Sequence, residues 1–262
     1  MCSVSNRVDA RFSGPLSAST SGLSCFPLRP PFANALLSRP DAGWRFSLFP
    51  DAHEGGGSFQ ASVRRVPTYV SRGYALDPER SASEAGRRAR AKLRRYCTAN
   101  RLNRLGTLTL AGDGCHDPVE LRGYLSDFFR ALRLALGVSA FQYVWVPEWH
   151  PKGHGLHVHF AVGRFIKRSL ISEAWGHGFV HIKLLRNLPV GSTNLSESRR
   201  AAGYLSKYVA KSFADPSARI LGLHRYDIAQ GFLPLPVALS GRSATDVLAQ
   251  ASSVFNSVPS FE

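Results

Sequence analysis

The stretch Leu156-His-Val-His-Phe-Ala-Val162 decides how the rest of the chain is read. It alternates, with Leu156, Val158 and Phe160 on one side and His157 and His159 on the other, as a strand with one buried face does. Side chains alternate along a strand, so the two imidazoles share a face, about 7 Å apart. Just before it, Phe141-Gln-Tyr-Val-Trp-Val146 reads as a second strand, joined through a short connection that holds Gly153 and Gly155. Further back, Leu105-Gly-Thr-Leu-Thr-Leu-Ala111 alternates too. Between these two strands, Asp117-Pro118-Val119-Glu120 puts Asp at the N-cap, Pro at the first helical position and Glu at the third. That is a helix start, and Leu121, Leu125, Phe128, Phe129, Leu132 and Leu136 follow at helical spacing up to Gly137. After the histidine strand, Lys167 to Trp175 predicts a helix, Phe179 to Leu184 a strand, and Ser196 to Phe213 another helix. The order is β-α-β-β-α-β plus a trailing helix. It predicts an α+β fold, the ferredoxin- or RRM-like split βαβ, with a central antiparallel sheet and helices on one side.

The 262 residues carry 33 Lys+Arg against 18 Asp+Glu, a formal net charge of +15. Such an excess speaks about partners rather than fold, and it favours a polyanion, nucleic acid first. No apolar run is long enough to span a bilayer, so no membrane partner is expected. Met1 to Thr20 lacks a charged region followed by an apolar one, so no secretion signal is expected. Cys2, Cys25, Cys97 and Cys115 have no C-x-x-C spacing, which argues against a disulfide framework and a cysteine zinc site. A reducing cytosol is the default compartment. The nucleotide-binding G-x-x-x-x-G-K-[ST] loop of P-loop motors does not occur.

Residues 1–80 are rich in Ser, Gly and Pro without steady apolar period, and Gly55-Gly56-Gly57 is linker-like, so this stretch is expected to be a mostly disordered extension. Order is expected from about Ser81. Ser83 to Asn100 is helical in pattern and very basic, with Arg87, Arg88, Arg90, Lys92, Arg94 and Arg95, a solvated or phosphate-contacting face. From residue 233 to 262, Pro234, Pro236 and a Ser-rich end predict an irregular tail.

His157 and His159 on one face of a rigid strand can converge on one divalent ion, although a lone H-x-H also suits two histidines on a solvated sheet. Glu148 strengthens the first reading. It closes the preceding strand, and the hairpin folds its carboxylate back toward the imidazoles. Two histidines and a carboxylate with open positions suit Mg²⁺ or Mn²⁺ that must also bind phosphate oxygen. His150 and His154, in the connecting loop, are alternatives for the third ligand.

The second constellation is Tyr204-Leu-Ser-Lys207-Tyr208-Val-Ala-Lys211, Y-x-x-K twice in tandem. An i,i+4 step puts Tyr204 and Tyr208 on one helix face, with Lys207 and Lys211 flanking them. An amphipathic helix burying its rings explains one such repeat; two in register behind an H-x-H strand point to chemistry. A phenol is a weak nucleophile at neutral pH and becomes useful when a metal polarises the target phosphate and a cation steadies the developing phenolate. A phosphotyrosine keeps the energy of the phosphodiester, so a strand can be cut and rejoined without ATP.

With these motifs in this order, the chain resembles the HUH endonucleases, specifically rolling-circle replication initiators of the two-tyrosine phage and plasmid type. Leu105 to Leu110 resembles the family's first motif strand, His157-Val-His159 its H-hydrophobe-H motif, and Tyr204 to Lys211 its tyrosine helix. Gly222 to Tyr226 and on to Gly231-Phe232 resembles sequence that follows the nuclease core. The resemblance covers roughly residues 84–232, which makes 81–232 the expected endonuclease domain. It implies single-strand nicking at an origin, a 5′-phosphotyrosine link and a free 3′-OH that primes synthesis. By position, His157, His159 and Glu148 would be metal ligands, Tyr204 and Tyr208 nucleophiles, and Lys207 and Lys211 phosphate or phenolate partners. It implies single-stranded or hairpin origin DNA as partner, with a host helicase and DNA polymerase, in the cytoplasm of a bacterial host cell.

Two other classes compete. A histidine-triad nucleotide hydrolase needs a third alternating histidine, and position 161 is Ala. A non-catalytic RRM-like nucleic-acid-binding module would use sheet aromatics, for which Phe141, Tyr143 and Trp145 are candidates.

Overall fold

In chain order the computed structural model has β1 (Arg7–Phe12), β2 (Gly43–Phe49), β3 (Glu54–Gln60), α1 (Pro78–Ala99), β4 (Arg104–Leu110), α2 (Pro118–Ala135), β5 (Tyr143–Trp149), β6 (Leu156–Val162), α3 (Arg168–Trp175), β7 (Gly178–Lys183), α4 (Asn194–Ala214), β8 (Asp227–Ile228), β9 (Val237–Gly241), α5 (Ala244–Phe255) and β10 (Pro259–Phe261). It describes residues 7–12, 42–61, 70–71, 73–183, 185, 190–215 and 224–261. The chain divides into two compact units, Tyr69–Pro234 and Met1–Thr68 with Leu235–Glu262.

The first unit holds the site. Its sheet has the order β7-β4-β6-β5-β8, and every pairing is antiparallel. Taken over β4, α2, β5, β6, α3 and β7, this is the split βαβ arrangement that the element order predicts. The helices form where their signals lie. The Asp117 carboxylate accepts the Val119 N–H at 2.8 Å to open α2, and Asp77 accepts the Arg80 N–H at 2.9 Å to open α1. That second cap starts α1 five residues ahead of the basic run at Ser83.

Strand alternation sends two sets of side chains to opposite faces of the sheet. Leu108, Leu110, Val158, Phe160 and Trp145 meet α2 and α3 in one core, with Phe128, Phe129 and Trp175. Both helices of the split βαβ therefore lie on one side, as predicted. Leu105, Val144, Val146 and Ala161 face the other way. There they meet α4 through Ala201, Ala202, Leu205 and Val209, and α1 through Leu93, Tyr96 and Cys97. Full burial of each large apolar side chain contributes roughly 1.5–3 kcal/mol, and this is what presses α4 onto the histidine face. Phe141 and Trp145 are buried in the α2 core and Tyr143 stacks on Phe129 with centroids 3.6 Å apart, so none of the three forms an open platform for bases.

The second unit corrects the expectation of featureless ends, for the residues described. Its sheet has the order β10-β1-β3-β2-β9. Phe46 and Leu48 of β2 pack with Val247 and Ala251 of α5, and Ser243 opens α5 with a full capping box. Residues 237–261 are thus strand, helix and strand rather than an irregular tail. Gly55-Gly56-Gly57 is not a linker but the middle of β3. A Cβ on Gly57 would lie 2.3 Å from the Arg45 carbonyl oxygen, and one on Gly55 would lie 2.3 Å from the Phe46 ring. Glycine there is a packing requirement. Helix α1 also begins within the 1–80 stretch, at Pro78; residues 1–6, 13–41, 62–69 and 72, and Gly222 with Leu223, lie outside the described residues.

Candidate active site

Strand register assembles the site before any side chain is considered. On β5 and β6, Glu148 stands opposite His157 and Val146 opposite His159. On β4, Thr107 stands opposite His159 and Thr109 opposite His157. Cross-strand partners point to the same face, so a carboxylate, two imidazoles and two hydroxyls share the face onto which α4 packs.

The hydrogen bonds follow from that placement. Glu148 Oε2 lies 2.9 Å from His159 Nε2, and Glu148 Oε1 accepts from Lys211 Nζ at 2.6 Å. Thr107 Oγ1 is 3.0 Å from His159 Nδ1. With Nε2–H donating to the carboxylate, Nδ1 accepts the Thr107 hydroxyl proton, and the ring is held at both ends. His157 is held less tightly. Thr109 Oγ1 is 3.5 Å from its Nδ1, its ring stacks on His150 with centroids 4.5 Å apart, and its buried Nε2 has no hydrogen-bond partner among the described residues.

Helix α4 supplies the phenols. Its buried Ala201, Ala202, Leu205 and Val209 face the sheet, and small residues there allow close approach. Tyr204, Tyr208 and Lys211, spaced i, i+4 and i+7, reach the histidine face from the same helix. The Tyr208 ring lies on His159 with centroids 3.7 Å apart and planes 15° apart, while Tyr204 meets His159 edge-on at 6.0 Å. The Tyr208 hydroxyl donates to the Tyr204 hydroxyl at 2.6 Å. Lys211 Nζ lies 5.5 Å from the Tyr208 ring centroid, and Lys183 Nζ, at the end of β7, 4.4 Å from that of Tyr204.

Of the residues singled out in the sequence, the structure brings together His157, His159, Glu148, Tyr204, Tyr208 and Lys211. Lys207 is exposed and makes no hydrogen bond or ion pair among the described residues. His150 joins the site by stacking on His157; His154 lies farther off, its Nε2 3.3 Å from the Leu110 carbonyl. Thr107, Thr109 and Lys183 were missed. The signal for the threonines was present as T-x-T in Leu105 to Leu110, but only the register with β6 says what they face.

The electrostatics favour neutral imidazoles beside an ionised carboxylate. Burial lowers the proton affinity of His157, helped by repulsion from His150, His159 and His154. Burial also lowers His159, against the opposing pull of Glu148. Burial alone would raise Glu148, but the hydrogen bonds and charges of Lys211 and His159 outweigh it and hold the carboxyl below its ordinary range. Burial, then the Tyr204 hydrogen bond and the Glu148 charge, raise Tyr208, so that phenol keeps its proton.

The donor types fit a divalent cation: two neutral imidazoles, one carboxylate, and a buried His157 Nε2 with no hydrogen-bond partner among the described residues. In this arrangement Glu148 is engaged by His159 and Lys211, and among the described residues no three His, Cys, Asp or Glu side chains are gathered closely enough to hold an ion.

The family model for replication-associated proteins of the ORF2 type matches residues 103–213. That span runs from just before β4 to the last turn of α4 and contains every site residue named above, which is consistent with a replication initiator. No curated protein and no solved structure matches the chain. Among the described residues no helix is long and apolar enough to cross a membrane.

Proposed function

We propose that this chain is an HUH-type rolling-circle replication initiator that nicks and rejoins single-stranded or hairpin origin DNA through a 5′-phosphotyrosine. The observation that carries the reading is the contact of Tyr208 with His159, which puts both phenols and both imidazoles on one face, together with the family match over the same residues.

In the proposed step a tyrosine oxygen attacks the scissile phosphorus. The O–P bond to tyrosine forms, the bond to the 3′-oxygen breaks, and the phenolic proton is given up as the 3′-oxygen gains one. The 3′-OH is then available to a DNA polymerase, and the second tyrosine can accept the strand when the exchange is repeated. Lys211 and Lys183 stand beside the two rings and offset the negative charge of a phenolate. Thr107 and Glu148 fix His159, and with it the ring of Tyr208. A divalent cation, Mg²⁺ or Mn²⁺, bound by His157, His159 and Glu148 would supply Lewis-acid polarisation of the phosphate. The net charge of +15, including exposed arginines of α1, supplies sequence-independent attraction to the strand. A helicase that opens the duplex and a bacterial cytoplasm complete the proposal.

The test is incubation with Mn²⁺ and labelled single-stranded DNA. A protein–DNA adduct that resists denaturation is expected, and it should vanish in the Tyr204→Phe/Tyr208→Phe double variant and in EDTA. An adduct that survives the double change would place the nucleophile elsewhere. His157→Ala or His159→Ala should abolish the adduct and leave salt-sensitive DNA binding in place.

A further inference from the structure

Beside the site lies a cleft that shares Glu148, Tyr208 and Lys211 with it and extends away from the imidazoles past Trp149 and Arg122. Its volume is about 280 Å³, near the lower end of ligand pockets, which run from roughly 300 to 1,000 Å³. It has room for one small flat group. The cleft exists because β8 is short. It pairs with β5 only at Val144 and Trp145, and beyond that point Pro147 has no N–H to offer a further strand. The next residues on that side, Pro147 and Trp149, wall the cleft with Trp145 at its base. Trp145 is 5% exposed and Trp149 is 43% exposed, so one indole is a fixed floor and the other is partly open to solvent, with the His116 ring 6.2 Å from its centroid.

Polar groups converge on the same space. Arg122 lies over the Trp145 ring, 5.2 Å from its centroid. Its Nη2 donates to the His224 carbonyl at 2.7 Å, and its Nη1 is 3.9 Å from the Asp227 carboxylate, so the fork is positioned with N–H groups to spare. On the far side the cleft is lined by Glu148, Tyr208 and Lys211, which belong to the candidate active site. A ligand here is therefore continuous with whatever occupies that site.

We infer that this cleft takes one unstacked nucleobase from a nucleotide next to the scissile phosphate, stacked on Trp149 and read at its edge by Arg122. The inference rests on the proposed function for the identity of the neighbouring group, and it adds a base-specific subsite. A base has a flat face that suits an indole. A positioned guanidinium favours guanine, whose O6 and N7 accept from an arginine fork. The pocket thus gives the protein one position of sequence choice that phosphate contacts cannot supply.

The experiment uses the full chain in EDTA, so that binding is read without cutting. A randomised single-stranded DNA pool is partitioned on the protein, and the preferred strand is remade with an abasic site at each position in turn. Abasic replacement at one position, favouring guanine, should weaken wild-type binding roughly tenfold. Trp149→Ala should cost a similar factor, and the abasic replacement should then cost nothing further. Trp149→Phe should keep the coupling, which shows that loss in the alanine variant is not misfolding. Arg122→Met should flatten the guanine preference at that position alone. The inference is overturned if no position is sensitive, or if the abasic penalty is the same in wild type and Trp149→Ala. Coupling without any Mn²⁺-dependent adduct would leave the base pocket standing and remove the nicking reading; an adduct without coupling would do the reverse.

Discussion

The His159 imidazole lies nearly parallel to the Tyr208 ring, with centroids 3.7 Å apart, although 49 positions separate them in the chain. His159 is pinned by Thr107 and Glu148, so the stack transmits the sheet's geometry to the tyrosine helix. The same carboxylate binds Lys211 on α4. Strand and helix are thereby locked at the point where the chemistry is proposed.

The two lysines of the tandem repeat are not equivalent. Both are exposed, but Lys211 binds Glu148 and lies near the Tyr208 ring, while Lys207 makes no hydrogen bond or ion pair among the described residues. Lys211→Ala should slow adduct formation on the order of 10²-fold, the effect of removing a charge-stabilising donor. Lys207→Ala should stay within about twofold at saturating DNA, as surface substitutions do. Single-turnover rates of adduct formation make the comparison, and equal losses would show that the structural asymmetry has no chemical meaning.

Lys183 faces Tyr204 rather than Tyr208. Lys183→Gln should therefore lower adduct formation in a Tyr208→Phe background, where Tyr204 must act, and spare it in a Tyr204→Phe background. A loss of about tenfold in the first and little change in the second is the expected pattern. Identical losses in both would argue for a general role in DNA binding.

Acid should destabilise the metal-free chain in two stages. His157 and His159 are held below the ordinary 6.5, so as the pH falls past that value the unfolded chain takes up protons that the folded chain resists. Glu148 is held below 4.5, so its contribution is present above that value and is lost as the pH falls through its lower folded value. Denaturant midpoints between pH 8 and 3, each pH an experimental setting chosen about the ordinary values, should show His157→Asn flattening the upper stage and Glu148→Gln the lower. An upper stage unchanged in the histidine variant would contradict the burial argument.

Gly57→Ala tests the second unit. Its Cβ would meet backbone, 2.3 Å from the Arg45 carbonyl oxygen, and backbone cannot swing aside. Overpacking of this kind costs roughly 1–3 kcal/mol, which lowers the Tm of a small unit by several degrees. A variant with unchanged thermal unfolding would mean that β2 and β3 do not pair as described.

The sheet and its helices were legible because their signals are local. Alternation in Leu156 to Val162, the Asp117-Pro118 cap and the helical spacing after it each specify one element without help from elsewhere. The phenols and imidazoles were legible for the same reason, since a period places each pair on one face. What escaped depends on distant pairing. Thr107 and Thr109 matter only through register with β6, and Lys183 only because β7 ends above Tyr204. In the second unit β9 pairs with β2 across nearly two hundred residues, and no local pattern announces that. Gly55 to Gly57 has the composition of a linker, and only the neighbours Phe46 and Arg45 make it a strand. The cleft at Trp149 depends on where β8 stops, which two paired residues decide.

Mass spectrometry of the peptides from the denatured Mn²⁺-dependent adduct probes the proposed chemistry at its source. A nucleotide joined through its 5′-phosphate to Tyr204 or Tyr208 is the expected result. A nucleotide on any other residue, or strand cleavage with no protein-bound nucleotide at any time point, would refute the phosphotyrosine mechanism.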